Sequence, residues 1–201
     1  DAGAPAIAAT ILNNLGNHYL ARGDLKKARS AFEKVLAREP SHANANLQLA
    51  QLAVDQKDFQ LALRCLGRLS QSDQQQFPVR LLQLRASWGS DQKPAAEALL
   101  AELEKEASGE PRYRFALAMA FVAMERFAEA EAFFQKGIEI ARRQKAKSLE
   151  LRAVMSLSRL WRRQGKRSEA RQVLSEIYGW FTEGFDTQDL RDAQRLLEEL
   201  S

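Results

Sequence analysis

Small and apolar residues return along this chain at a fixed interval. Alanines 28, 62, 96 and 130 stand 34 residues apart, and Ala170 follows after 40. Around them apolar residues fall at helical spacing, as in Leu12, Leu15 and Tyr19, or in Leu190, Ala193, Leu196, Leu197 and Leu200. A period of this length predicts an all-α array of stacked helix pairs. One pair cannot bury its apolar face alone, so neighbours must supply the other half of the core.

The spacing within each period has mechanical reasons. In the first, Gly16 and Ala28 allow two helices to approach closely, Tyr19 and Phe32 fill the space between them, and Pro40 stops the second helix. Gly23-Asp24 makes the turn. The frame repeats with Leu49-Ala50, Ala53, Ala62 and Leu66, then with Leu84, Ser87, Ala96 and Leu103 around a turn at Gly89 to Pro94. It returns with Leu117-Ala118, Phe121, Ala130 and Phe134, and finally with Leu157-Ser158, Trp161, Ala170 and Leu174. Leu12, Leu15-Gly16, Tyr19, Ala28, Phe32 and Pro40 resemble the tetratricopeptide signature nearly position for position. The resemblance implies a right-handed α-solenoid of about five helix pairs, at 9–42, 43–76, 77–110, 111–150 and 151–186, forming one superhelix. A capping helix over 187–200 completes it, with Thr187 as its N-cap.

Two segments stand outside the simple repeat. Gln71 to Gln76 is polar and reads as a linker. The six extra residues before the fifth unit fall in ARRQKAKSLEL, which has no Pro or Gly and so predicts longer flanking helices. From Ser148 to Leu200 the chain also resembles the helical-repeat tail of large bacterial regulators that carry a signal-transduction ATPase, often with a nucleotide cyclase. That implies neighbours for the tail and no catalysis. An array assembled from two sources is one reading of this mixture. The start at Asp1 and not Met reads as an excised or processed chain.

At 45% apolar and 28% charged, the 201 residues belong to a globular chain. No apolar run reaches the roughly 18 residues that a bilayer span needs. The single cysteine, Cys65, excludes an internal disulfide and favours a reducing compartment, so the expected location is cytoplasmic. Net charge is +4 but unevenly spread. Arg142 to Arg171 holds eleven cations against Glu150 and Glu169, whereas Glu176 to the end holds seven acids against Arg191 and Arg195. Adjacent blocks of opposite sign are expected to compensate each other in part.

The search for chemistry returns little. His18 and His42 lack partners at metal-ligand spacing, the glycines do not form a phosphate loop, and Cys65 lies on a packing helix. No catalytic residue, metal or cofactor is assigned, and the expected class is a non-enzyme.

The tetratricopeptide pattern implies that the first helix of each pair lines a concave groove. Carried over residue by residue, it assigns Asn13, Asn17, Asn44, Leu47, Gln51, Leu81, Arg85, Trp88, Phe115, Met119 and Val122 to peptide binding. It also puts Arg152, Arg159, Arg162 and Arg163 on that face as an anion-binding candidate. The expected partner is a protein or peptide with apolar and acidic residues. The two-carboxylate clamp of some tetratricopeptide domains is not matched: of Asn13, Asn17, Gln48, Pro78 and Leu82, only Asn17 agrees with it. A regulatory arm of a larger ATPase is the alternative. Nucleic-acid binding through 142–171 ranks below it, since Trp161 occupies a packing position and no aromatic platform accompanies it. Self-association through exposed ends is a further expectation.

Overall fold

The computed structural model describes residues 3–201, with side chains from residue 7 onward. It has twelve α-helices and, among the described residues, no strand. The chain divides into two compact units, Asp1–Leu103 and Glu104–Ser201. Unit 1 contains α1 (Gly3–Ala21), α2 (Leu25–Leu36), α3 (Ala43–Asp55), α4 (Phe59–Leu66), a single-turn α5 (Gln71–Gln74) and α6 (Phe77–Gly89). Helix α7 (Lys93–Glu106) runs through its boundary. Unit 2 contains α8 (Pro111–Ala123), α9 (Phe127–Arg143), α10 (Lys147–Arg163), α11 (Arg167–Tyr178) and α12 (Gln188–Glu199). The fold is all-α and of the α-solenoid class, as the periodicity predicts.

The repeat is written into the backbone as well as the side chains. Each turn inside a pair has one residue in the left-handed region: Gly23, Lys57, Asp91, Glu125 and Gly165, with φ between 61° and 82°. These positions follow the same 34, 34, 34 and 40 spacing as the alanines. The next N–H in each case reaches back to a carbonyl of the first helix: Asp24 to Tyr19 (2.9 Å), Asp58 to Ala53 (2.7 Å), Gln92 to Ser87, Arg126 to Phe121 and Lys166 to Trp161 (each 2.9 Å). This is the closure by which a left-handed residue satisfies the last carbonyls of a helix. Asp24 and Asp58 then start the second helix, accepting from the Lys27 and Leu61 amides. Only two of the five left-handed residues are glycine, so the sequence marks these turns incompletely.

Close approach explains the packing glycines. A Cβ on Gly16 would stand 2.6 Å from Phe32 Cε1, and one on Gly89 would stand 2.3 Å from the Phe59 ring. Gly89 thus ends α6 as a contact surface, not simply as the turn residue expected from sequence. In unit 1 the buried core runs through Ala28, Phe32, Val35, Leu49, Ala53, Ala62, Leu66 and Leu82. In unit 2 it runs through Leu117, Phe121, Phe134, Leu151, Val154, Leu157, Leu174, Leu190 and Leu196. Burying each such large side chain contributes about 1.5–3 kcal/mol.

The extra residues of unit 2 lengthen two helices, α9 and α10, to 17 residues each, with the turn at Gln144–Ala146. Lys145 adds a left-handed residue there, and Ala146 N–H reaches Ala141 carbonyl at 2.9 Å. The polar run 71–76, expected to be a linker, instead folds α5, whose N-terminus Ser70 caps by accepting from Asp73 N–H. Thr187 stands at the N-cap position of α12, but its hydroxyl donates to Gly184 carbonyl at 2.7 Å and makes no capping bond. No helix among the described residues is long and apolar enough to cross a membrane.

Candidate functional site

Unit 1 presents a polar face whose side chains bond to one another. Asn17 Nδ2 on α1 points to Asn44 Oδ1 on α3 at 3.5 Å. Gln51 donates to Asp55 Oδ2 at 2.9 Å, and Arg85 on α6 meets Asp55 Oδ1 at 2.9 Å. Leu47, Leu81 and Trp88 are half-buried. Asn13 is half-buried too, and its Oδ1 is shielded from solvent without a hydrogen-bond partner. The structure thus joins Asn17 to Asn44, and Gln51 to Arg85 through Asp55.

Unit 2 carries an open face along the seam of α8 and α10. Arg112, Phe115, Leu149 and Arg152 line a cleft of about 440 Å³. Met119, Val122, Ser156, Arg159, Leu160 and Arg163 line a second one, of about 150 Å³. Phe115 rests its ring on Phe134, with centroids 5.9 Å apart, so one side is packed and the other faces the cleft. Met119 is 43% exposed, unusual for a large apolar side chain in the middle of a helix. Leu149, Ser156 and Leu160 were not among the expected residues. Ser156 could have been found, because 152, 156, 159 and 163 lie at helical spacing; Leu149 lies in the inserted segment, ahead of the counted fifth unit.

The four candidate arginines divide. Arg152 Nε meets Asp189 on α12 at 2.7 Å, and Arg162 pairs with Glu199 on the same helix. Arg159 and Arg163 form no ion pair among the described residues and flank the second cleft. Six of the eleven cations of the basic block are therefore answered from within. Arg142 Nε and Lys147 Nζ converge on Glu150 at 2.6 and 2.9 Å, Lys166 reaches Glu131, and Arg167 donates to the Glu199 carbonyl. Glu150 is only 2% exposed, a buried carboxylate held by two cations where α9 turns into α10. Its role was not legible beforehand, since the sequence shows it only as one acid within a basic block. Trp161 is half-buried between helices, with Lys166 over its ring at 5.9 Å.

The remaining candidates are structural. His42 Nδ1 accepts from Ala45 N–H and caps α3. His18 is exposed beside Tyr19. Cys65 is 1% exposed, and burial pushes its thiol up, which suppresses the nucleophilic thiolate.

Similarity to known proteins follows this geometry. A family model described as the tetratricopeptide repeat matches residues 19–86, and a second with the same description matches 111–144. A tetratricopeptide repeat protein from Parabacteroides merdae ATCC 43184 superposes with a TM-score of 0.64 at 16% identity, covering 96% of this chain and 70% of that one. A thermophilic tetratricopeptide protein of Thermus thermophilus gives 0.59 at 16% identity, over 94% and 100% of the two chains. PilF of Pseudomonas aeruginosa gives 0.53 at 18% identity, over 98% and 90%. At these identities the likeness is one of fold. No curated protein matches the chain. Tetratricopeptide repeats generally mediate protein–protein interactions, and the fold is typically a non-catalytic scaffold. With these two matched segments and the helix-pair turns recurring in register, the chain carries tetratricopeptide repeats.

Proposed function

We propose that this chain is a non-enzymatic scaffold that binds a partner segment on the α8–α10 face of unit 2. Apolar side chains of the partner seat against Phe115, Met119 and Val122, and an acidic group pairs with Arg159 and Arg163. The observation that carries this reading is the second cleft, in which the exposed Met119 lies beside two unpaired guanidinium groups, Arg159 and Arg163. Apolar anchors supply affinity in concave sites, and a guanidinium fork gives a carboxylate both orientation and charge. In unit 1, Asn17, Asn44, Gln51 and Arg85 already bond within the unit. The rival reading, a regulatory arm of a larger ATPase, rests on the tail resemblance alone.

A displayed peptide library tests the proposal. Selection on the intact chain should enrich segments that combine apolar residues with Asp or Glu. Met119→Glu, at an exposed position, should weaken the selected peptides at least about tenfold, equivalent to about 1.4 kcal/mol. Arg159→Glu should weaken the acidic ones with a similar loss. Helicity should be unchanged in both. Peptides bound equally well by parent and both variants would refute the site.

A further inference from the structure

The two clefts of the α8–α10 face are one motif repeated. Moving each lining residue of the first cleft forward by seven positions gives a lining residue of the second. Arg112 becomes Met119, Phe115 becomes Val122, Leu149 becomes Ser156 and Arg152 becomes Arg159. Seven residues are two helical turns, so the clefts stand about 10.5 Å apart along the seam. The open surface of α10 keeps the same rhythm. Its exposed residues are Ser148, Arg152, Arg159 and Arg163, and with the half-buried Ser156 they form one stripe at steps of three or four. On α8 the exposed positions are Arg112, Met119 and Ala123, with Phe115 and Val122 half-buried beside them.

Charge on this face is one-sided. Helix α8 contains no Asp or Glu, and the one acid of α10, Glu150, is buried beneath Arg142 and Lys147. Arg112, Arg159 and Arg163 form no ion pair among the described residues. The seam therefore offers an occupant apolar hollows and cations, with no exposed carboxylate on either helix to repel an acid.

We infer that the partner segment is an amphipathic α-helix with acidic flanks, laid along the seam with one apolar anchor in each cleft; this rests on the site proposed above. Spacing selects the helix. An extended strand returns a side chain to the same face every ~6.6 Å, and a polyproline turn every ~9.3 Å, so neither keeps step with the clefts. A helix advances about 10.5 Å in seven residues, which sets the anchors at i and i+7, with a third at i+3 or i+4 between them. Leu149 to Arg163 spans about 21 Å of α10, so the bound helix needs about four turns. Acids beside its anchors meet Arg112 at one end of the seam and Arg159 and Arg163 at the other, each pair a charge-assisted hydrogen bond.

The displayed library reads the partner's conformation as well as the site. Peptides enriched on the intact chain should carry apolar residues at i, i+3 or i+4, and i+7, with Asp or Glu beside them. A synthetic copy of the strongest should gain helical circular dichroism when it binds. Proline placed midway between its anchors should weaken binding at least about tenfold, whereas alanine there should leave it nearly unchanged. Enriched peptides with alternating or Pro-rich patterns that bind without gaining helix, yet lose affinity to Met119→Glu, would overturn the helix and leave the site standing. A midway proline without effect would also overturn it. Binding indifferent to both Met119→Glu and Arg159→Glu would remove the site itself, and the helix with it.

Discussion

Asp1–Leu103 and Glu104–Ser201 are built on one frame and handle their polar side chains in opposite ways. In unit 1 the polar residues of the first helices meet one another on the surface, through Asn17 with Asn44 and Asp55 with Arg85. Such contacts are solvent-exposed and worth little, so this face is orderly but contributes only modestly to stability. In unit 2 one carboxylate, Glu150, is drawn inside and answered by two cations, while Arg159 and Arg163 are left outside beside an apolar cleft. The lesson concerns insertion. Lengthening α9 and α10 created a helix junction that needs an internal ionic tie. It also extended the α8–α10 seam by Leu149, giving that unit the more open face.

The strongest way to break this contrast is to remove the tie. Glu150→Ala leaves Arg142 and Lys147 without their shared acceptor and should destabilise unit 2 by about 2–3 kcal/mol; the cost is less than for a fully buried pair because Arg142 is itself half-exposed. Asp55→Ala, the surface counterpart in unit 1, should cost about 0.5 kcal/mol. Urea unfolding of the two variants against the parent checks both, and equal losses would erase the distinction. Gly16→Ala comes next. Its Cβ would press into the Phe32 ring, and overpacking of this kind should cost about 1–2 kcal/mol despite the better helix propensity of alanine. Gly137→Ala in unit 2 meets Arg114 Cβ at 3.3 Å and nothing nearer, so clash and propensity should nearly cancel, to within about 0.5 kcal/mol. Thermal midpoints measured side by side decide that pair. The mildest probe is Cys65. Its thiol should resist alkylation in the folded chain and react only as unit 1 opens. Since burial raises the folded thiol above its unfolded value, the native form gains from this group below the ordinary thiol range. It loses that gain as pH rises through the range, so labelling should quicken on the alkaline side. Fast labelling at neutral pH under native conditions would contradict the burial.

Much of the fold was legible because it is local. Gly16, Ala28 and Phe32 announce a close helix crossing by their sizes alone, and Phe32 does fill the space that Gly16 leaves. The inserted segment was readable as longer helices for want of any breaker residue. The turns were legible only where Gly23 and Gly165 mark them. Lys57, Asp91 and Glu125 adopt the same left-handed geometry without a residue type that asks for it, held by the packing of the helices on either side. For the candidate site, helical spacing could place 152, 156, 159 and 163 on one face, but not say which of these arginines already has a partner.

The sequence by itself determined the period, the helical class and the inward face of each helix, since these depend on residues three to four positions apart along one helix. The tertiary structure alone decided the fate of the charges. Arg152 finds Asp189, and Arg162 finds Glu199, each 37 residues away; Arg142 finds Glu150 only because the intervening turn reverses the chain. A charge pair is settled by which helices lie side by side and how far each guanidinium can reach. No local pattern encodes that distance, so the division between tied and open arginines had to come from the packed helices themselves.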